Sequence, residues 1–111
     1  MTQQEIQERN SDIALMLGLH HDKECVIYGM TAYTWDMLRF HSDWNWLMEA
    51  VEFIEKIGET KEKYGILVDI TTTYIKVGKI LIDFKITPMK KQEGVFIAVS
   101  DFAHKFNNKE L

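Results

Sequence analysis

The spacing of apolar residues changes several times along this 111-residue chain, and each change marks an element. Over residues 3–17, Ile6, Ile13, Met16 and Leu17 recur at roughly helical spacing. Gly18 follows, where a helix commonly places its first left-handed residue, so the pattern predicts a helix over 3–17. Cys25-Val26-Ile27-Tyr28 predicts a short strand. Gly29 to Asp36 reads as a connection. Leu38 and Phe40, either side of Arg39, read as a brief extended piece. The next signal predicts a helix over 42–58. Trp44, Leu47, Met48, Val51 and Ile54 fall on one stripe, Ser42 or Asp43 can cap it, and Gly58 ends it. Trp46 and Phe53 lie off that stripe, seven apart, on a second, smaller apolar face.

From residue 65 the period shortens to two. Ile66, Val68 and Ile70 share one face, as do Thr73, Ile75 and Val77, and then Ile80, Ile82, Phe84 and Ile86. β-branched residues dominate, which suits a half-buried pleated surface. Gly78-Lys79 fits a two-residue hairpin with glycine first, and Thr71-Thr72 is a weaker turn. The reading is an antiparallel meander of three strands. Thr87-Pro88 then opens a last helix, over 87–107, with Phe96, Val99, Ala103 and Phe106 as its stripe, widened by Val95 and Phe102. The fold class expected is α+β: one domain, 1–111, with a three- or four-stranded, mainly antiparallel sheet. The helices 42–58 and 87–107 pack on that sheet, and 3–17 covers an edge or its other face.

Composition adds exclusions. Hydrophobic residues make up 46% and charged residues 27%, which is globular and neither disordered nor repetitive. Cys25 is the single cysteine, so an intramolecular disulfide and a Cys-rich zinc cluster are excluded. Met1-Thr2-Gln3-Gln4-Glu5 lacks the basic and apolar regions of a secretory signal, and no run approaches the about 18 apolar residues of a membrane span. The expected location is cytoplasmic. Charge is uneven: residues 1–60 hold eleven acids and four bases, a net −7, and residues 61–111 hold six acids and nine lysines, a net +3. The mildly acidic whole argues against direct nucleic-acid binding and against an anionic membrane as partner.

Candidate chemistry is thin. His20-His21-Asp22 has neighbours that do not converge on one ion, and no spacing supplies the remaining ligands. Cys25 inside an apolar strand reads as inert packing. Glu49, Glu52, Glu55 and Glu59 form a solvated helix face in the absence of a second ligand-bearing helix. His41 or His20 and His21 as a general base would need an orienting partner that the sequence does not name. No phosphate loop, nucleophile elbow or zincin motif is present. Thus no catalytic residue, no cofactor and no metal is expected. Trp44 reads as core, while Trp35 and Trp46 with Glu49, Glu52 and Glu55 are the expected interaction surface.

The segment Leu38-Arg39-Phe40-His41-Ser42-Asp43-Trp44-Asn45-Trp46-Leu47-Met48 resembles a group of small proteins of bacteriophages and mobile elements, common in Bacteroidetes. Members carry a run close to Tyr-His-x-Ser-Trp-Asp-Trp-Leu-Met, then Val-Val-Glu-x-Ile-Glu. Phe40, His41, Trp44, Trp46, Leu47, Met48, Val51, Glu52, Ile54 and Glu55 match nearly in register. Asn10, Ile13, Ala14 and Gly18 resemble the group's first helix; Glu93, Val95, Phe96, Ala98, Val99, Phe102 and Asn107 resemble its last, with Gly94 where alanine is preferred. The group is similar to the phage ABA sandwich domain. The resemblance implies helices around a small sheet and carries no activity to transfer. The expectation is a non-enzymatic accessory protein of phage or mobile-element type. It would bind a host or phage protein, an inhibitor of a bacterial defence protein being one such role, with a homodimer also open. The alternative is a small-molecule or nucleotide-binding module built on Trp35, Trp46 and the lysine-rich strands.

Overall fold

A computed structural model describes residues 1–60 and 68–110. Its elements follow from local chemistry at their ends. Helix α1 (Gln3–Met16) starts at Thr2, whose hydroxyl accepts from the Glu5 amide at 3.1 Å. It ends in a Schellman motif: Gly18 (φ 70°) donates to Leu15 O and Leu19 to Ala14 O. Helix α2 (Trp44–Thr60) is capped by Asp43, whose Oδ1 accepts from Asn45 N at 2.9 Å and Trp46 N at 3.3 Å. It runs through Gly58, which is buried inside it rather than ending it. Helix α3 (Lys91–Asn107) begins later than Thr87-Pro88 suggested. The Thr87 and Ile86 amides are spent on Asp83 O, at 2.8 and 3.1 Å, and a residue before proline is pushed out of helical backbone. At its far end Lys109 takes the left-handed place (φ 57°) of a second Schellman turn, with Glu110 N on Lys105 O at 2.8 Å.

Among the described residues, two antiparallel sheets accompany the helices. Strands β1 (Cys25–Tyr28) and β2 (Thr31–Thr34) form a two-stranded hairpin through Gly29-Met30, within the segment read as a mere connection. A 3-10 turn, Trp35–Met37, follows it. Leu38 and Phe40 then lie in irregular backbone, both fully buried, so the extended piece expected there is a loop that plugs the core. Strands β3 (Val68–Ile70), β4 (Tyr74–Val77) and β5 (Ile80–Asp83) form the expected three-stranded meander. Thr71 Oγ1 takes the amides of Thr73 and Tyr74 in one turn, and Gly78 (φ 62°) opens the other. Ile66 and Leu67, assigned to the first strand, lie outside the described residues. The last face stops short: the chain turns at Asp83, and Ile86 is 81% exposed.

Helix α3 is the centre of the molecule, with α1, α2 and strands β4 and β5 packed around it. Val95, Phe96, Ala98, Val99, Phe102 and Ala103 are all buried, joined by Ile13, Ala14 and Met16 of α1, Leu47, Ala50, Val51 and Ile54 of α2, and Ile75 and Val77 of β4. Helix α1 therefore packs on α3 and on the 3-10 turn, not on an edge or far face of the sheet. Polar groups pin the pair: Arg9 Nη1 donates to Asp101 Oδ1 at 2.6 Å and Ser100 Oγ at 2.8 Å, and Asn107 Nδ2 to Asp12 O at 2.9 Å. Gly94 lets the sheet approach. A Cβ there would lie 3.0 Å from Ile75 Cδ1 and from the Phe84 ring.

One core assignment is overturned. Trp44 is 40% exposed. The buried stripe of α2 runs Leu47, Ala50, Val51, Ile54, and one turn before Ala50 stands Trp46, not Trp44. Ala50, which the expected stripe did not include, is fully buried.

Candidate interaction surface around the first hairpin

Alternation along β1 and β2 sets two faces. Val26, Tyr28, Thr31 and Tyr33 share the inner one; Cys25, Ile27, Ala32 and Thr34 share the outer one. On the inner side Trp46 of α2 is enclosed by rings: Tyr28 at 4.3 Å, Tyr33 at 5.0 Å and Phe40 at 5.3 Å between centroids, with Phe40 edge-on to Tyr28 at 5.6 Å. Offset and edge-to-face rings attract beyond their buried area, so the hairpin is fastened to α2 rather than resting on it. The Tyr28 hydroxyl also donates to the Glu49 carboxylate. Burial, then the Glu49 acceptor and its charge, hold the Tyr28 phenol well above the ordinary tyrosine range.

The hairpin's other flank is closed by the loop before it. Ile27 N donates to His20 O at 2.9 Å, and His21 makes an isolated bridge to Val26. Asp22 Oδ1 accepts from the Glu24 and Cys25 amides, both at 2.8 Å, which lowers its carboxyl pKa. Trp35 sits edge-on to His21 at 5.5 Å and its Nε1 donates to Asp22 O at 3.1 Å. The Cys25 thiol is raised, first by desolvation and then by the Asp22 charge, the wrong direction for a nucleophile. His21 Nδ1 is engaged with Leu19 O at 2.9 Å. Among the described residues no group of three metal-ligating side chains converges.

The five residues singled out in the sequence thus separate. Trp46 is the half-buried keystone of the aromatic group, and Trp35 staples the preceding loop. Glu49, Glu52 and Glu55 are exposed, spaced three apart along α2, with Glu49 at the hairpin. What the sequence reading missed is a set of exposed apolar side chains: Ile27 (40% exposed), Met30 (102%) at the hairpin tip, Met37 (53%) and Trp44. The signal was present, because Tyr28-Gly29-Met30-Thr31 has the same glycine-first form as Val77-Gly78-Lys79-Ile80.

A second locus lies between α1, the loop before α2 and the start of α3. A cavity of about 320 Å³ is lined by Met1, Ile6, His41, Ser42, Lys90, Gln92, Glu93 and Phe96. His41 is held from behind: Asn10 Nδ2 lies 2.9 Å from its Nδ1 and 3.1 Å from Leu38 O. Only an N–H can face the Leu38 carbonyl, so the Asn10 amide group is oriented, and His41 Nδ1 must accept. The neutral ring then carries its hydrogen on Nε2 and presents a donor, not a proton acceptor, to its surroundings. Burial lowers the imidazole pKa further. A larger cavity of about 510 Å³ is lined by the polar residues Gln4, Gln7, Glu8, Ser11, Asp12 and His104. Neither cavity is lined by Trp35, Trp46 or a strand lysine, the groups on which a nucleotide pocket was expected to stand. Among the described residues no helix is long and apolar enough to cross a membrane. Comparison with family models, with curated proteins and with solved structures gives no match, so the phage-type resemblance rests on the chain's own residues.

Proposed function

We propose that the chain acts by binding another protein through the first hairpin and the adjoining face of α2. The observation that carries this reading is Met30. It is fully exposed at the tip of a hairpin that four aromatic rings hold in place. An apolar side chain held out on a preorganised support suits docking, because the backbone that presents it is already ordered. Ile27, Met37 and Trp44, on the hairpin, the 3-10 turn after it and the first turn of α2, are exposed apolar side chains as well. Glu49, Glu52 and Glu55 favour a basic partner surface, since complementary potentials steer encounter and fix register. A second copy docked by a two-fold axis through this face would set the same acids against one another, which disfavours a homodimer there. The resemblance to phage and mobile-element proteins points the same way. The reading is a non-enzymatic accessory protein whose acidic face occupies a basic groove, as an inhibitor of a nucleic-acid-binding defence protein would.

The test is capture of partners from a bacterial lysate by the wild type, by Met30→Asp, and by the triple variant Glu49→Lys, Glu52→Lys, Glu55→Lys. A partner retained at physiological salt by the wild type and lost by both variants is the expected outcome. No retained partner, or one indifferent to both variants, overturns the reading.

A further inference from the structure

We propose that Asn10 and His41 form a proton-operated latch, closed when His41 is neutral, that fastens the 38–43 loop to helix α1. This inference does not rest on the binding surface proposed above. The geometry is a two-way hydrogen-bond arrangement with one acceptor left over. Asn10 is 2% exposed, and its amide nitrogen serves Leu38 O and His41 Nδ1 together. Its Oδ1 is buried with no hydrogen-bond partner among the described residues. With His41 neutral, this orientation makes two hydrogen bonds, and the flipped amide makes one while setting oxygen against the Leu38 carbonyl.

Protonation removes that preference. Nδ1 gains a hydrogen and meets the Asn10 N–H head-on. Turning the amide lets Oδ1, until then without a partner, accept from the imidazolium, but it abandons Leu38 O. Either way one tie between α1 and the loop is lost. The loop is short and consequential. Leu38 and Phe40 are fully buried, Ser42 N and Asp43 N both donate to Arg39 O, and Asp43 caps α2.

Other charges near the ring do not produce this behaviour. The cavity beside His41 holds Lys90 and Glu93 from the start of α3, of opposite sign, together with Met1. Arg39 and Asp43 flank it on its own loop, also of opposite sign. On α1, Arg9 is committed to Asp101 and Ser100. The Phe96 ring, 6.0 Å away, is apolar. Burial is the resolved cause that lowers His41 from 6.5. The unfolded chain therefore binds more protons than the folded one just below 6.5. Stability falls as pH drops through that value and goes on falling to the folded pKa.

The experiment is NMR of the imidazole nitrogens of the intact chain from about pH 7.5 to about pH 5, with amide exchange over the same range. Expected are the Nε2–H tautomer at the upper end, a titration midpoint below 6.5, and protection at Ser42 and Asp43 that drops about threefold to tenfold through it, more than at Ile54 in α2, which follows only the global stability. Asn10→Ala leaves every neighbouring charge in place and is expected to lose both the tautomer preference and the pH-dependent protection. The Nδ1–H tautomer at neutral pH, a midpoint at or above 6.5, or an unaltered profile in Asn10→Ala each overturns the latch. If Asn10→Ala does not fold, the wild-type tautomer and midpoint decide by themselves.

Discussion

The β1–β2 hairpin and the β4–β5 hairpin share a turn and differ in what stands behind it. Both reverse through a glycine at positive φ, Gly29 at 64° and Gly78 at 62°, followed by a residue with ordinary negative φ. Around Gly29 a Cβ would meet nothing within 4 Å among the described residues. At Gly78 it would meet the buried Phe102 ring at 3.0 Å. The second hairpin belongs to a three-stranded sheet laid on the central helix, with Ile75 and Val77 fully buried between them. The first has two strands, one buried residue, Val26, and a fastening of side-chain rings to α2. A two-stranded hairpin is marginal by itself, so its order depends on that fastening. One hairpin is part of the core; the other is fastened to α2 by ring contacts on one side.

Removing the fastening tests the contrast most severely. Trp46→Ala is expected to cost about 3 kcal/mol, at the low end for a large aromatic because Trp46 is only half-buried. Hydrogen exchange is the better readout. The Ile27 amide should lose protection while that of Val77 keeps it, and equal loss at both would show that the two hairpins open as one unit. The two turns give the next contrast. Gly78→Ala combines left-handed strain with a clash against an immobile ring and should cost about 2–3 kcal/mol, against about 1 kcal/mol for Gly29→Ala, where strain acts alone. Equal costs by chemical denaturation would mean that the Phe102 contact yields. The smallest effect is expected from Tyr28→Phe, about 0.5–1 kcal/mol for the hydrogen bond to Glu49. In the wild type that phenol should resist ionisation beyond the ordinary tyrosine value of 10.0. Because its folded pKa is raised, the associated stability should fade as pH climbs above that value, and ultraviolet titration against Tyr28→Phe reads the difference.

Much of this architecture was legible before any coordinates. The period-two run after residue 65 with Gly78-Lys79 inside it named the meander, because alternation and a glycine-first turn are both local. Gly18 and Asp43 marked helix ends for the same reason: each acts on backbone within one turn of itself. Where local signals competed, the reading slipped. Thr87-Pro88 has the form of a helix start, but Asp83 had already claimed the Thr87 amide for a turn. Gly29 carried the same message as Gly78, with weaker strands around it.

The chain by itself determined its class, its three helices to within a few residues, the β1 strand and the meander, and the apolar stripe of α3. Only the tertiary structure decided which face of each element is covered. Spacing places Trp44 and Trp46 on nearly opposite faces of α2, but whether a ring is core or surface depends on what arrives opposite it, here Tyr28 and Tyr33 from another part of the chain. Likewise Asn10 meets His41 across 31 residues, and Arg9 meets Asp101 across 92. Hydrogen bonds and ring contacts are short-ranged in space and indifferent to separation along the chain, so no local pattern announces them.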